Sequence, residues 1–142
     1  MSSPVPRPPF QQLLYLYVGC GDFERDLAWY RDVLGAPMLW NFARFGARVA
    51  AFRVGEGPPV LIADHRPAPS CMPIWSVEDL ERTAAALVTR GWRHLGAAFE
   101  IPDGPCYRYD DPSGNPFAFL QPVRPNALLA AYSDPHNPSA VR

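Results

Sequence analysis

The chain has 142 residues, 48% hydrophobic and 19% charged, with 13 basic side chains against 14 acidic ones and a formal net charge of −1. A chain of this length fits one compact domain that buries roughly 68–70% of its unfolded surface, so a sizeable core is expected. The near-neutral balance supplies no overall attraction to polyanions, which argues against nucleic acid or an anionic membrane as partner.

Residues 1–11 hold four prolines in their first ten positions and read as an extended N-terminal arm. The arm lacks the apolar segment of a signal peptide, and no apolar run approaches the length of a membrane span. A soluble, non-exported, cytoplasmic protein is expected. Residues 12–18, Q-L-L-Y-L-Y-V, are aliphatic and aromatic and run into G-C-G, which predicts a strand ending in a turn. Asp22 can then cap a helix on which Phe23, Leu27, Tyr30 and Leu34 recur at helical spacing, with Gly35 as its left-handed stop. Three extended segments follow at 37–42, 48–54 and 59–64, parted by F-G-A and G-E-G-P turns.

The proline-spaced stretch 66–71 links this unit to a second one of the same order. A strand is predicted at 72–77, a helix from Asp79 to Arg90 stopped by Gly91, and strands near 93–100, 106–110 and 116–121. A D-P-S-G-N turn at 111–115 separates the last two. The helix starts D-F-E-R at Asp22 and D-L-E-R at Asp79 stand 57 residues apart, each between a strand and a glycine-stopped helix, so the β-α-β-β-β unit is written twice. Residues 123–142, with P-N, D-P and N-P dipeptides and one apolar patch at 128–132, read as a tail that docks loosely.

These features, together with A-W-Y-R-D-V-L-G and the late D-P-x-G-N turn, resemble the vicinal oxygen chelate superfamily of glyoxalase I, extradiol dioxygenases, fosfomycin resistance proteins and bleomycin resistance proteins. The resemblance covers residues 12–122 and implies an α+β fold. Two βαβββ modules, 12–65 and 72–122, would form curved mixed sheets around a cleft, one face of each covered by its helix. It also implies metal-ligand positions in the first and last strand of each module, which fall on Leu13, Leu61, Met72 and Ala118. All four are apolar, and hard divalent cations need oxygen or imidazole donors. No metal or other cofactor is therefore expected, and the departure points to the metal-free, bleomycin-resistance-like branch.

If those positions face the cleft, strand alternation brings Leu13, Tyr15 and Tyr17 to it from the first strand, and Leu61 and Ala63 from the fourth. Met72, Ile74 and Ser76 join from the fifth and Ala118 and Leu120 from the eighth, with Trp40 and Phe42 assigned from the second. The groove so described is apolar and edged with aromatics, suited to a flat aromatic or hydrophobic ligand. The same aromatics could instead fill the sheet interior. Trp29 and Tyr30 are read as helix–sheet packing, and Trp75 as facing the helix side.

Among ionisable groups, Asp64-His65-Arg66 is the compact cluster. His65 could serve as acid or base, but a solvated turn is the favoured reading. The side of the sheet that His94 faces is undecided, and His136 is expected in solvent. Arg53, Arg108 and Asp110-Asp111 could clamp a charge at the cleft mouth, with ordinary edge-strand charges preferred. The three cysteines, Cys20, Cys71 and Cys106, have no C-x-x-C spacing, so neither a disulfide framework nor a zinc site is expected. Cys20, before a helix N-terminus, is kept as an inert thiol. All basic residues are arginine, which fits codon bias better than a need for forked donors.

The expected function is a metal-free binding protein that sequesters an aromatic or hydrophobic small molecule, antibiotics among the candidates, with no catalytic residue assigned. The family resemblance adds homodimerisation. The alternative is a superfamily enzyme, an isomerase, cyclase, lyase or dioxygenase-like catalyst, acting on a small organic substrate.

Overall fold

In a computed structural model of the chain, residues 7–44, 46–92 and 95–142 are described, without the side chains of Leu95 and Ala97. The first module runs β1 (Leu13–Gly19), α1 (Phe23–Ala28), β2 (Met38–Arg44), β3 (Ala47–Phe52) and β4 (Val60–Ala63). The second runs β5 (Cys71–Ser76), α2 (Leu80–Thr89), β6 (Leu95–Ile101), β7 (Gly104–Asp110) and β8 (Pro116–Leu120). A third helix, α3 (Ala127–Ser133), follows both. Among the described residues no helix is long and apolar enough to cross a membrane.

The repeat read from the helix starts is a structural repeat. Asp22 accepts a hydrogen bond from the Arg25 amide at 3.1 Å, and Asp79 accepts one from the Arg82 amide at 3.0 Å. Each cap satisfies an amide that the first helical turn leaves without a partner, worth about 1 kcal/mol. The strands of each module take the same order, and the two sets join into one curled sheet, β2-β3-β4-β1-β5-β8-β7-β6. Within each module the outer pairs are antiparallel, while β1 pairs with β4 and β5 with β8 in parallel. The modules meet where β1 and β5 pair antiparallel, with Tyr17 opposite Met72 and Tyr15 opposite Ile74.

Alternation along the strands sorts the side chains onto two faces. On one face α1 packs Phe23 and Leu27 against Ala50, Phe52 and Ile62. On the same face α2 packs Leu80, Ala84 and Leu87 against Val77, Tyr109 and Phe119. The opposite face carries two clusters centred on Met72, Ile74, Ala118 and Leu120 and on Trp40, Ala51 and Leu61.

Three expectations are corrected. The first helix does not stay α-helical to its stop: after Ala28 it widens into a π-helical turn, Trp29–Val33, in which the Leu34 amide donates to the Trp29 carbonyl at 2.9 Å. Tyr30 keeps its expected place, stacked on Phe52, but the wider turn leaves Trp29 in solvent at 47% exposure. The end of the arm is anchored, because the Gln11 amide donates to the Ser76 carbonyl and the Phe10 ring packs against Trp75 and Phe119. The tail is not loose: α3 sits on β2, and the Val141 amide returns to the Asn41 carbonyl at 2.8 Å. The apolar patch at 128–132 is what docks it, through Leu128 and Tyr132.

Phe119 is fully buried beneath α2. Phe119→Ala is expected to cost about 3–5 kcal/mol, lowering the urea midpoint with little change in the dependence on denaturant.

Candidate functional site

The face opposite α1 and α2 curls around a cavity of about 560 Å³ that draws side chains from both modules of one chain. Its floor is the seam itself, Tyr15 and Tyr17 from β1 and Met72 and Ile74 from β5. Leu61, Trp40, Phe42 and Val49 form the first module's wall, and Phe99 and Ile101 the second's. Leu128 and Ala131 of α3, with Asn137 and Ser139 after it, add a strap that lies outside either repeat.

Seven of the expected site residues are thus brought together, namely Tyr15, Tyr17, Trp40, Phe42, Leu61, Met72 and Ile74. Five are placed elsewhere. Leu13 lines a neighbouring cavity that shares Tyr15, Trp40 and Leu128 as its partition. Ala118 and Leu120 are fully buried under the cleft-face cluster, where larger neighbours cover them. Ala63 is fully buried at the end of β4, and the Ser76 hydroxyl is taken up by the Gln12 amide at 3.0 Å. For Ala63, Ser76, Ala118 and Leu120 alternation gives the correct face, but side-chain length and strand position decide what reaches the surface; at Leu13 an irregularity in the β1–β5 pairing breaks the alternation.

Asp64 and His65 are exposed in a turn after β4, as expected, with Arg66 half-buried beside them. Asp64 accepts from the Arg48 amide at 2.8 Å, His65 Nε2 lies 2.9 Å from the Tyr17 hydroxyl, and Arg66 leans over the Tyr17 ring at 5.3 Å. Arg66 and His65 both line the cavity, as do Arg44 and Arg108. Arg53 instead donates to the Gly57 carbonyl at 2.6 Å, and Asp111 holds the 111–115 turn by accepting from the Ser113 and Asn115 amides. His94 lies outside the described residues, and His136 is exposed as expected.

Burial sets the proton affinities around the site. It pushes the Tyr17 phenol up to about 12, with the Arg66 charge opposing and Asp64 reinforcing. The Tyr15 phenol is raised further by burial and by its hydrogen bond to the Asp103 carboxylate. Burial likewise raises the Asp103 carboxyl, against the opposing pull of the Tyr15 bond and Arg124. Asp103 is 3% exposed, and its second oxygen has no hydrogen-bond partner. Sequence reasoning missed it because I-P-D-G-P reads as an ordinary turn. Cys20 is pushed up to about 11, chiefly by burial, so the helix N-terminus does not activate it.

The metal implied by the family resemblance does not fit these residues. Leu61 and Met72 face the cavity, Leu13 and Ala118 do not, and the set offers one soft thioether and no oxygen or imidazole donor. Among the described residues no group of three or more His, Cys, Asp or Glu is placed to hold an ion.

A family model described as Glyoxalase/Bleomycin resistance protein/Dioxygenase superfamily matches residues 12–119. Solved structures of similar fold include methylmalonyl-CoA epimerase from Mycobacterium tuberculosis, with 17% identity, TM-score 0.69 and coverage of 84% of this chain and 93% of that one. A glyoxalase/bleomycin resistance protein/dioxygenase superfamily member from Vibrio splendidus 12B01 is 17% identical, with TM-score 0.62 and coverage of 78% and 99%. Homoprotocatechuate 2,3-dioxygenase from Arthrobacter globiformis is 19% identical, with TM-score 0.62 and coverage of 84% of this chain and 38% of that one. A comparison with curated proteins returns no match.

Because burial raises the Asp103 carboxyl, the folded chain holds that proton more tightly than the unfolded chain. Its contribution to stability is present below the ordinary carboxylate range, near pH 4, and is lost as pH rises through the folded value. The melting temperature of Asp103→Asn minus that of the native chain is therefore expected to increase from pH 4 to pH 8, as thermal melts across that range will show.

Proposed function

The chain belongs to the glyoxalase/bleomycin resistance protein/dioxygenase superfamily, and from that premise we propose that it is an enzyme moving a proton on a small organic substrate held in the cavity. The observation that carries this reading is the Tyr17–His65 pair, 2.9 Å apart at the wall of the cavity. The sequestering role expected from the sequence finds no support in the bleomycin-resistance branch, since the relatives reported above include an epimerase and a dioxygenase. At 17–19% identity they carry the fold alone, so the chemistry rests on this chain's own residues.

A consistent assignment follows from one tautomer. If His65 donates Nε2–H to the Tyr17 oxygen, its Nδ1 keeps a lone pair able to take a proton from carbon beside a carbonyl. The phenol, protonated at neutral pH and pushed further from ionisation by burial, then has its O–H available to the substrate oxygen on which negative charge develops. The Arg66 guanidinium, 5.3 Å from the Tyr17 ring, favours that charge further. Return of the proton from imidazolium to the same or a neighbouring carbon completes an epimerisation or isomerisation. Every step uses groups on one wall, and none passes through a metal.

The test is loss of the C–H signal in deuterated water, followed by proton NMR, for a panel of ketones, acids and thioesters with an acidic C–H beside the carbonyl. The native chain is expected to accelerate exchange for at least one class, and Tyr17→Phe and His65→Gln each to reduce that rate by about 100-fold or more. Failure of the native chain to accelerate any member sinks the proposal.

A further inference from the structure

The cavity that the proton-transfer reading uses also has a charge that its walls do not balance. Arg66 and Arg108 both line it, and their mutual repulsion, after burial, helps to hold the Arg66 guanidinium below its ordinary affinity for a proton. Arg66 is half-buried, its Nε is enclosed without a hydrogen-bond partner, and its Nη1 reaches only the weakly accepting Met72 sulfur at 3.9 Å among the described side-chain hydrogen bonds. Arg108 has Asp110 at 3.7 Å, too long for a hydrogen bond, and both side chains are about half-exposed. The carboxylate that does line the cavity, Glu100, is tied to Arg124 at 2.9 Å. Burying a guanidinium without an acceptor is costly, and a bound oxyanion removes that cost by taking two parallel N–H donors.

We infer that the ligand of this cavity is an organic anion, with a flat apolar body on Trp40, Phe42 and Ile74 and a carboxylate at Arg66 and Arg108. The inference rests on the same site as the proton-transfer reading and deepens it by naming a substrate class. The apolar walls supply the affinity for the body, and the two guanidinium groups select its end. A volume of about 560 Å³ accommodates two fused rings with a short acid side chain. A phosphate end would satisfy the same donors and is distinguished by its own titration.

The test is isothermal titration of the full chain with 2-naphthylacetate, its neutral isostere 2-naphthylacetamide, and 2-naphthyl phosphate. The acid is expected to bind about 10-fold or more tighter than the amide, the order that a hydrogen bond to a charged group contributes. That preference should shrink in high salt and disappear in Arg66→Met and in Arg108→Met, each checked for a native-like melt. Arg31→Met, exposed on the π-helical turn, should bind as the native chain does. Equal affinity for acid and amide, no binding of either below about 10 mM, or a preference that survives both variants overturns the inference. A phosphate bound much more tightly than the acid overturns the carboxylate assignment. Because titration does not depend on turnover, His65→Gln should keep the preference for the acid while losing exchange. Absence of exchange by the native chain, with its preference for the acid intact, defeats only the proton-transfer reading, and exchange by a native chain that shows no such preference defeats only this one.

Discussion

The antiparallel pairing of β1 with β5 is the constraint on which the site depends. Each module alone would leave an unpaired strand at what becomes the centre of the sheet, a row of amides and carbonyls that must find partners. Pairing the two edges satisfies those groups and fixes the register that sets Tyr17 opposite Met72 and Tyr15 opposite Ile74. A slip of β1 by one residue would turn Tyr15 and Tyr17 away from the cleft and toward the helices. The residues that seal the fold are therefore the residues that floor the cavity, so no substitution there acts on binding alone.

The polar groups of the site gain their character from this apolar surrounding. Burial at the seam pushes the Tyr17 phenol up to about 12, and the enclosure of Arg66 leaves its Nε without a partner. A phenol that remains protonated and a guanidinium in need of an acceptor are complementary assets for a substrate that carries, or develops, negative charge. Asp103 shows the opposite outcome. Its carboxyl is enclosed behind Tyr15, and its raised proton affinity is explained by enclosure rather than by access to the cavity.

Much of the fold was legible because it is written twice. The D-F-E-R and D-L-E-R helix starts, the glycine stops and the turn-bounded strands place both modules to within a residue or two at most boundaries. Strand alternation also found the cavity floor, since Tyr15, Tyr17, Met72 and Ile74 share its face. It could not tell a face from a surface: Ala118 and Leu120 lie on the correct side but are too deep to reach the cavity. Other misses arise from contacts distant in sequence. Arg66 reads as part of a proline-spaced linker until Tyr17 is found beneath it, and Leu128 as part of a loose tail until β2 is found beside it. Nothing local marks such meetings, because they depend on where the sheet curls.

The strap formed by α3 has a consequence for symmetry. Two equal modules would build a cup whose halves are interchangeable, and a ligand could enter it in either of two opposite orientations with equal energy. The strap lies on β2 of the first module, and among the described residues no helix follows the second module to cover β6 in the same way. Addition of sixteen residues from 127 to 142 to one side adds to the asymmetry that the unlike walls already provide. The cup thereby acquires a head and a foot, so that the proposed substrate would present a single face to Tyr17 and His65, the requirement for handed chemistry in a site assembled from a duplicated and therefore nearly two-fold frame.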